Sequence, residues 1–274
     1  MNGYSLFKYP SHNDYPSHWD QYALKYAKLL KPGTLYYLHK RVMYDIIEKF
    51  AFPDIDTKGL EILDVNCGTG NDFPYLLSKG NVTGIDGSQG MLNKAYEKHR
   101  EQILSQNLTL YHGNLEEFNE SSLENKSFDL IYSITGGFSY INDDELSRVL
   151  KVFKAMLKPG GYIITGHLNT FCLVESLIWL LRGKMKRILL RLKKQVKTKY
   201  GSTMYFRNKK MLDSIITSHF SHVEYFPLIC ISPPYQTGIN TKPKTFEVLR
   251  RIENFMVKNK FGVSWADQIV VLCR

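Results

Sequence analysis

Residues 61–70 read Glu-Ile-Leu-Asp-Val-Asn-Cys-Gly-Thr-Gly, and a second apolar run ends in Asp86, 22 residues after Asp64. Ile62 to Val65 reads as a strand buried in a parallel sheet. The chain then turns through Cys67-Gly68-Thr69-Gly70 into a helix-like stretch that starts near Asn71. Glycines in such a turn let the backbone pass close to a ligand with no Cβ in the way. In open α/β sheets, an acid at the end of the second strand accepts hydrogen bonds from ribose hydroxyls. Together these features predict a nucleoside held over the carboxyl ends of two adjacent parallel strands.

The details of the turn narrow the choice of nucleoside. A dinucleotide-binding turn reads G-x-G-x-x-G and sets a helix N-terminus against the pyrophosphate. Here the spacing is Asn66-x-Gly68-x-Gly70, with Asp64 just before it. A carboxylate at that place repels a pyrophosphate and suits a ligand carrying an amino group and a sulfonium charge. No G-x-x-x-x-G-K-[ST] loop occurs, which argues against an NTPase. Further on come Gly113-Asn114-Leu115-Glu116, then Phe128-Asp129-Leu130-Ile131-Tyr132-Ser133, then Leu157-Lys158-Pro159-Gly160-Gly161-Tyr162.

In that order the blocks resemble the class I S-adenosylmethionine-dependent methyltransferases, the small-molecule group whose motif runs L-D-x-G-C-G-T-G. The resemblance spans residues 19 to 167. It implies S-adenosylmethionine as methyl donor and S-adenosylhomocysteine as product. It also implies a cofactor site of Tyr26, Asp64, Asn66, Gly68, Gly70, Asp86, Gly87, Met91, Asn114, Leu115 and Ser133. Trp19-Asp20 through Tyr26 is similar to the family's capping block, which sets a tyrosine near the methionine carboxylate. The competing reading of Tyr26 is a packed aromatic on an amphipathic helix. For Met91, a core methionine is the alternative to a place beside the adenine. Two positions depart from the family: Asn66 stands where glycine is usual, and Asn114 where an acid is common. Asparagine tolerates left-handed backbone angles, and its side-chain carbonyl can accept from the adenine amino group.

The length of 274 residues suits one large α/β domain with insertions. Residues 1–16 lack the apolar core of a signal peptide, and no apolar run approaches membrane-spanning length. Cys67, Cys172, Cys230 and Cys273 are scattered without a C-x-x-C pair, so neither a metal cluster nor a disulfide framework is expected. A reducing cytoplasm is the expected compartment. The net charge of +10 is concentrated: segment 171–200 holds nine basic residues against Glu175 alone, which gives +8 and leaves +2 for the rest.

Along the chain, residues 1–52 read as a helical cap over the site and 53–274 as the methyltransferase domain. The fold expected is Rossmann-like α/β: a doubly wound seven-stranded sheet, mostly parallel with an antiparallel edge strand. Strands fall near 61–65, 82–86, 108–112, 128–133 and 161–166, with helices near 71–79, 88–104 and 143–157. Asn208 to Phe220 reads as a further helix, and Val223 to Pro227 with Ile269 to Cys273 as a hairpin-like antiparallel pair. Pro53 to Asp56 reads as a loop.

A helical insertion follows the fifth strand at 168–205. Its apolar residues Val174, Ile178, Leu181, Met185, Ile188, Leu192 and Val196 step by three and four as one stripe, which Gly183 can break. The reading adopted is a basic lid packed over the site with a solvated lysine face. A membrane-surface helix is the second reading. Nucleic-acid binding comes third, because aromatics for base stacking are sparse there.

For an oxygen acceptor a base is needed. His167, at the end of the fifth strand, is the candidate, against the alternative of a hydrogen-bonded strand-end or pocket-wall histidine. His12 and His18 could instead fold over the site. Ser232-Pro233-Pro234-Tyr235 reads as a rigid pocket-lining turn. The expected function is O- or N-methylation of a small, aromatic or amphipathic acceptor. The alternatives are an RNA or protein methyltransferase gripping its partner with residues 182–199, or a non-catalytic cofactor-binding relative.

Overall fold

Alternation along the strands builds the molecule. The computed structural model describes residues 19–20, 23, 26, 31–32, 34–52, 59–119, 123, 126–134, 136–198, 202–234, 237–239 and 243–274. His12, His18, the loop at Pro53 to Asp56 and Tyr235 lie outside the described residues. Helix α1 (Leu35–Ile46) is capped by Thr34, whose hydroxyl accepts from Tyr37 N–H, and runs into a π turn over Ile47–Ala51. Then follow β1 (Leu60–Val65), α2 (Phe73–Leu76), β2 (Gly80–Asp86), α3 (Gln89–Lys98), α4 (Arg100–Leu104), β3 (Leu108–His112), β4 (Phe128–Ser133), α5 (Asp143–Met156) and β5 (Leu157–Leu168). The insertion contributes α6 (Leu173–Leu181), α7 (Met185–Leu192), β6 (Gln195–Lys197) and β7 (Thr203–Tyr205). The chain closes with α8 (Lys209–Ile216), β8 (Val223–Leu228), α9 (Pro243–Lys258) and β9 (Gln268–Cys273).

Seven strands form one sheet in the order β3-β2-β1-β4-β5-β9-β8. The first five are parallel, and β9 runs antiparallel between β5 and β8. This is the doubly wound, mostly parallel sheet that the alternating pattern predicts. The order reverses between β1 and β4, where open α/β sheets present a ligand crevice. Ile62, Leu130, Ile164 and Val270 face one core layer with α1, while Leu63, Ile131, Ile163 and Val271 face a second with α5 and α8. Each buried aliphatic side chain removed from water contributes about 1.5–3 kcal/mol, so the two layers hold the sheet rigid beneath the crevice. No described helix is long and apolar enough to cross a membrane.

Several elements differ from the pattern-based expectation. The helix expected over 71–79 is a single turn, because Asn71 and Asp72 spend their side chains on distant partners. The run at 88–104 breaks at His99, whose ring bonds to the Gly70 carbonyl at 2.9 Å. The stripe of the insertion is not one continuous helix: α6 and α7 part at Gly183, which has φ +66, and Val196 lies on β6, paired with Met204 of β7. Leu181 and Leu192 of that stripe point outward. β8 and β9 do pair antiparallel, but α9 lies in the connection between them.

The end of the insertion is fastened by Arg207, which is almost fully buried. It donates to Phe138 O at 2.9 Å, Ile141 O at 2.6 Å and Asp143 Oδ1 at 2.7 Å. The post-β4 loop and the start of α5 are thus tied to the segment after β7. Arg207→Leu leaves two buried carbonyls without donors and should lower stability by about 2–4 kcal/mol in urea unfolding. Asp143→Asn, at the half-exposed end of the same pair, should cost at most about 1 kcal/mol.

Candidate functional site

Asp86 ends β2 and binds two loops at once. Its Oδ2 accepts from Gly68 N–H and its Oδ1 from Ser88 N–H, both at 2.8 Å. Loss of hydration raises its carboxyl to about 6, and the two N–H donors oppose that rise. The turn it grips is left-handed at Asn66 (φ +57), Gly68 (φ +56) and Gly70 (φ +67). Asn66 therefore adopts the left-handed backbone that asparagine tolerates. A Cβ on Gly70 would come 2.4 Å from the Phe73 ring, so no larger residue fits there.

Around this turn the structure gathers most of the expected residues. A Cβ on Gly68 would lie 3.2 Å from the Tyr26 ring and 4.0 Å from Met91 sulfur, so these three residues meet at one point. Tyr26 hydroxyl pairs with Tyr36 hydroxyl at 2.8 Å. On the other side of Asp86, a Cβ on Gly87 would fall 2.1 Å from Asn114 Oδ1, which sets the Asn114 carbonyl against the chain just after β2. His112 bonds to Gly87 O at 3.1 Å, and Leu115, itself buried, follows Asn114 in a short turn. A Cβ on Gly137 would meet the Asn66 amide at 2.4 Å, which brings the post-β4 loop over the turn. Ser133, at the end of β4, is buried, and its hydroxyl has no hydrogen-bond partner among the described residues.

Beneath the turn lies a charged cluster that the sequence does not announce. Lys40 of α1 is buried and bonds Asp72 at 2.5 Å, and Tyr44 hydroxyl donates to the other Asp72 oxygen at 2.6 Å. Burial opposes the Lys40 charge, but Asp72 outweighs it and holds the ammonium above its ordinary range. Asp64 lies within reach of both charges. Its burial, reinforced by Asp72, pushes its carboxyl well above the usual range, and its Oδ2 has no hydrogen-bond partner among the described residues. Asp20 is a second residue that pattern reading passes over. Its Oδ1 accepts from Ser88 hydroxyl and Gly90 N–H, both at 2.6 Å, and so crowns the start of α3. The Trp19-Asp20 block was visible in the sequence, but its contact with α3 is a tertiary fact.

His167 sits elsewhere. It is fully buried, its Nε2 bonds Thr165 Oγ1 at 2.9 Å, and its ring packs against Phe138. Burial and nearby Arg207 push its imidazole well below the usual range. Asn66, the glycines and Asp86 share the crevice, whereas His167 is walled into the core. Ser232 is held with its neighbours by Glu253, whose carboxylate accepts from Cys230, Ile231 and Ser232 N–H. Cys172, Glu175 and Asp267 converge closely enough to suggest a metal, but the Arg191 guanidinium lies between the two acids and bonds both.

Lys40→Met removes the buried ammonium paired with Asp72. Stability should fall by about 3–5 kcal/mol in chemical unfolding, because Asp72 is left uncompensated. Combining it with Asp72→Leu should recover a large part of that loss; a double variant no more stable than Lys40→Met would contradict this account.

Comparison with known proteins bears on the domain and the fold. Residues 62–161 match a family model described as a methyltransferase domain. The demethylmenaquinone methyltransferase of Staphylococcus aureus (strain MRSA252) is 38% identical over 130 residues, which cover 46% of this chain and 46% of that protein. The match therefore spans about half the length of that relative. Among solved structures, the CcbJ methyltransferase of Streptomyces caelestis superposes with a TM-score of 0.58 at 14% identity, covering 95% of this chain and 98% of that one. A S-adenosylmethionine-dependent methyltransferase of Clostridium acetobutylicum gives 0.55 at 16% identity, covering 94% and 99%. These structural likenesses show the fold, and the family model covers the segment from β1 into β5. Together with the sheet order, they show a methyltransferase domain over residues 62–161, set on the doubly wound fold shared with these solved methyltransferases.

Proposed function

We propose that the chain transfers a methyl group from S-adenosylmethionine to a small-molecule acceptor, aromatic or amphipathic in character. The observation that carries this reading is Asp86. Its carboxylate fixes the glycine turn and the start of α3 with one bond each, and a carboxylate has further acceptor sites for ribose hydroxyls. The surrounding residues fit the cofactor. Asp64 Oδ2, buried and unsatisfied, suits an amino group, and a cation there would offset the cost of burying its charge. Asn114 Oδ1 offers an acceptor beside Gly87 for the adenine amino group, and Met91 gives an apolar wall beside Gly68.

When bound, the cofactor supplies an electrophilic methyl group on sulfur, so catalysis rests largely on alignment of the acceptor. Asn66 and Gly137 bring the post-β4 loop over the turn, where an acceptor would be positioned. His167, neutral and enclosed, has no open path to an acceptor in this conformation. The reading of O- or N-methylation is therefore kept without a base among the described residues. The name of the Staphylococcus aureus relative supports a quinone-type ring as acceptor. A cytoplasmic setting is part of the same proposal.

Calorimetry tests it. The chain should bind S-adenosylmethionine and S-adenosylhomocysteine but not NAD. Asp86→Ala should weaken cofactor binding by about 2–3 kcal/mol, roughly 30- to 150-fold. Ribose hydroxyls donate to the ionised carboxylate, so binding favours the deprotonated form of Asp86. Because the free site holds that carboxyl at about 6, affinity should decline as pH falls below 6 and stay level above 7. Asp86→Asn should flatten this dependence. Unchanged affinity in Asp86→Ala would remove the ribose assignment.

A further inference from the structure

Among the described residues, the insertion is anchored from one side. Trp179 is buried under the guanidinium groups of Arg182 and Arg187, 5.3 and 4.7 Å from its ring, and Arg182 also donates to Thr237 O at 2.9 Å. Arg191 is buried between Glu175 and Asp267 and donates to Asn169 O at 3.1 Å. What these anchors leave outward is aliphatic. Leu177, Leu180 and Leu181 on α6, and Met185, Leu189 and Leu192 on α7, are each at least half exposed, Leu181 to 88%. Within each helix they recur at intervals that place them on one side. Lys186, Lys193 and Lys194 are exposed among them. A single apolar residue on a surface needs no explanation, but a contiguous set of leucines on two adjacent helices does.

We propose that this face docks on an anionic lipid bilayer, with the leucines of α6 and α7 entering the headgroup region and the lysines meeting lipid phosphates. Charge complementarity selects this occupant. The segment 171–200 carries +8, which opposes a second copy of itself and favours an anionic surface. None of the exposed side chains of α6 and α7 is aromatic, and Trp179 is buried, so a stacking platform for bases is missing from the two helices. Helices of nine and eight residues are far too short to cross a bilayer. Short amphipathic helices with leucine on one side and lysine around it instead lie in the interface.

Co-sedimentation of the full chain with vesicles tests this at ionic strength near 0.15 M. One vesicle set is phosphatidylcholine alone, and the other an equimolar mixture with phosphatidylglycerol. Binding is expected to the anionic vesicles and to be much weaker to the neutral ones. Leu181→Ser combined with Leu189→Ser should weaken it by about tenfold or more. Lys186→Gln, Lys193→Gln and Lys194→Gln together should do the same. All five positions are exposed, so thermal unfolding and S-adenosylhomocysteine binding should stay as in the parent chain. Failure to bind anionic vesicles overturns the proposal, as does full binding by the leucine variant. Dimerisation abolished by the leucine variant, or RNA binding abolished by the lysine variant without vesicle binding, would reassign the face. Vesicle binding is read without turnover, so its failure leaves the methyl-transfer reading standing, and loss of cofactor binding in Asp86→Ala leaves this one standing.

Discussion

The site depends on one carboxylate placed between two loops. Asp86 reaches back to Gly68 in the turn after β1 and forward to Ser88 at the start of α3. The turn after β1 rises where the strand order reverses, the loop after β2 stands beside it, and neither has a regular ladder to hold it there. Asp20 then takes the Ser88 hydroxyl and Gly90 N–H, while Ser88 Oγ caps Met91 N–H. Two acids in series thus satisfy the unpaired donors of one helix N-terminus. The N-terminal block is thereby fixed to the same frame as the glycine turn. A Cβ on Gly90 would come 2.7 Å from the Asp20 backbone, so this docking also depends on a bare Cα.

The sheet and its central turn were legible because their signals are local. Apolar runs of strand length, a glycine-rich turn and an acid at the next strand end all lie within about twenty-five residues. The Lys40–Asp72 pair was not legible, since its partners stand 32 residues apart with no periodicity to connect them. α9 was passed over for a different reason. Its inward residues Phe246, Met256 and Val257 are interleaved with exposed Val248, Ile252 and Phe255, and the buried Glu253 further blurs the stripe. Glu253 is inside because it caps three backbone N–H groups after β8, a duty that hydropathy cannot express.

The insertion shows how a charge count misleads when taken whole. Nine cations in one segment suggest a uniformly solvated face. Arg191 is instead an interior strut between two acids, and Arg182 leans on Trp179 and a backbone carbonyl. Arg207, just beyond, does the same work for the post-β4 loop. Arginine suits these places because its planar fork satisfies several acceptors at once, where a lysine would leave some unmet. The apolar stripe misled in the opposite sense: periodicity reveals that a helix has a side, but not whether protein covers it.

The place of β9 has a consequence for how such a chain is made. β8 pairs in the sheet only through β9, and β9 pairs with β5 on its other side. During synthesis, β1 to β5 can therefore assemble while β8, though already translated, has no neighbour to join. β8 can lean on α1 in the meantime, but its place in the sheet must wait until β9 is inserted between two older strands. Vectorial synthesis thus leaves this end of the sheet open longest, and there a nascent chain has most need of a chaperone.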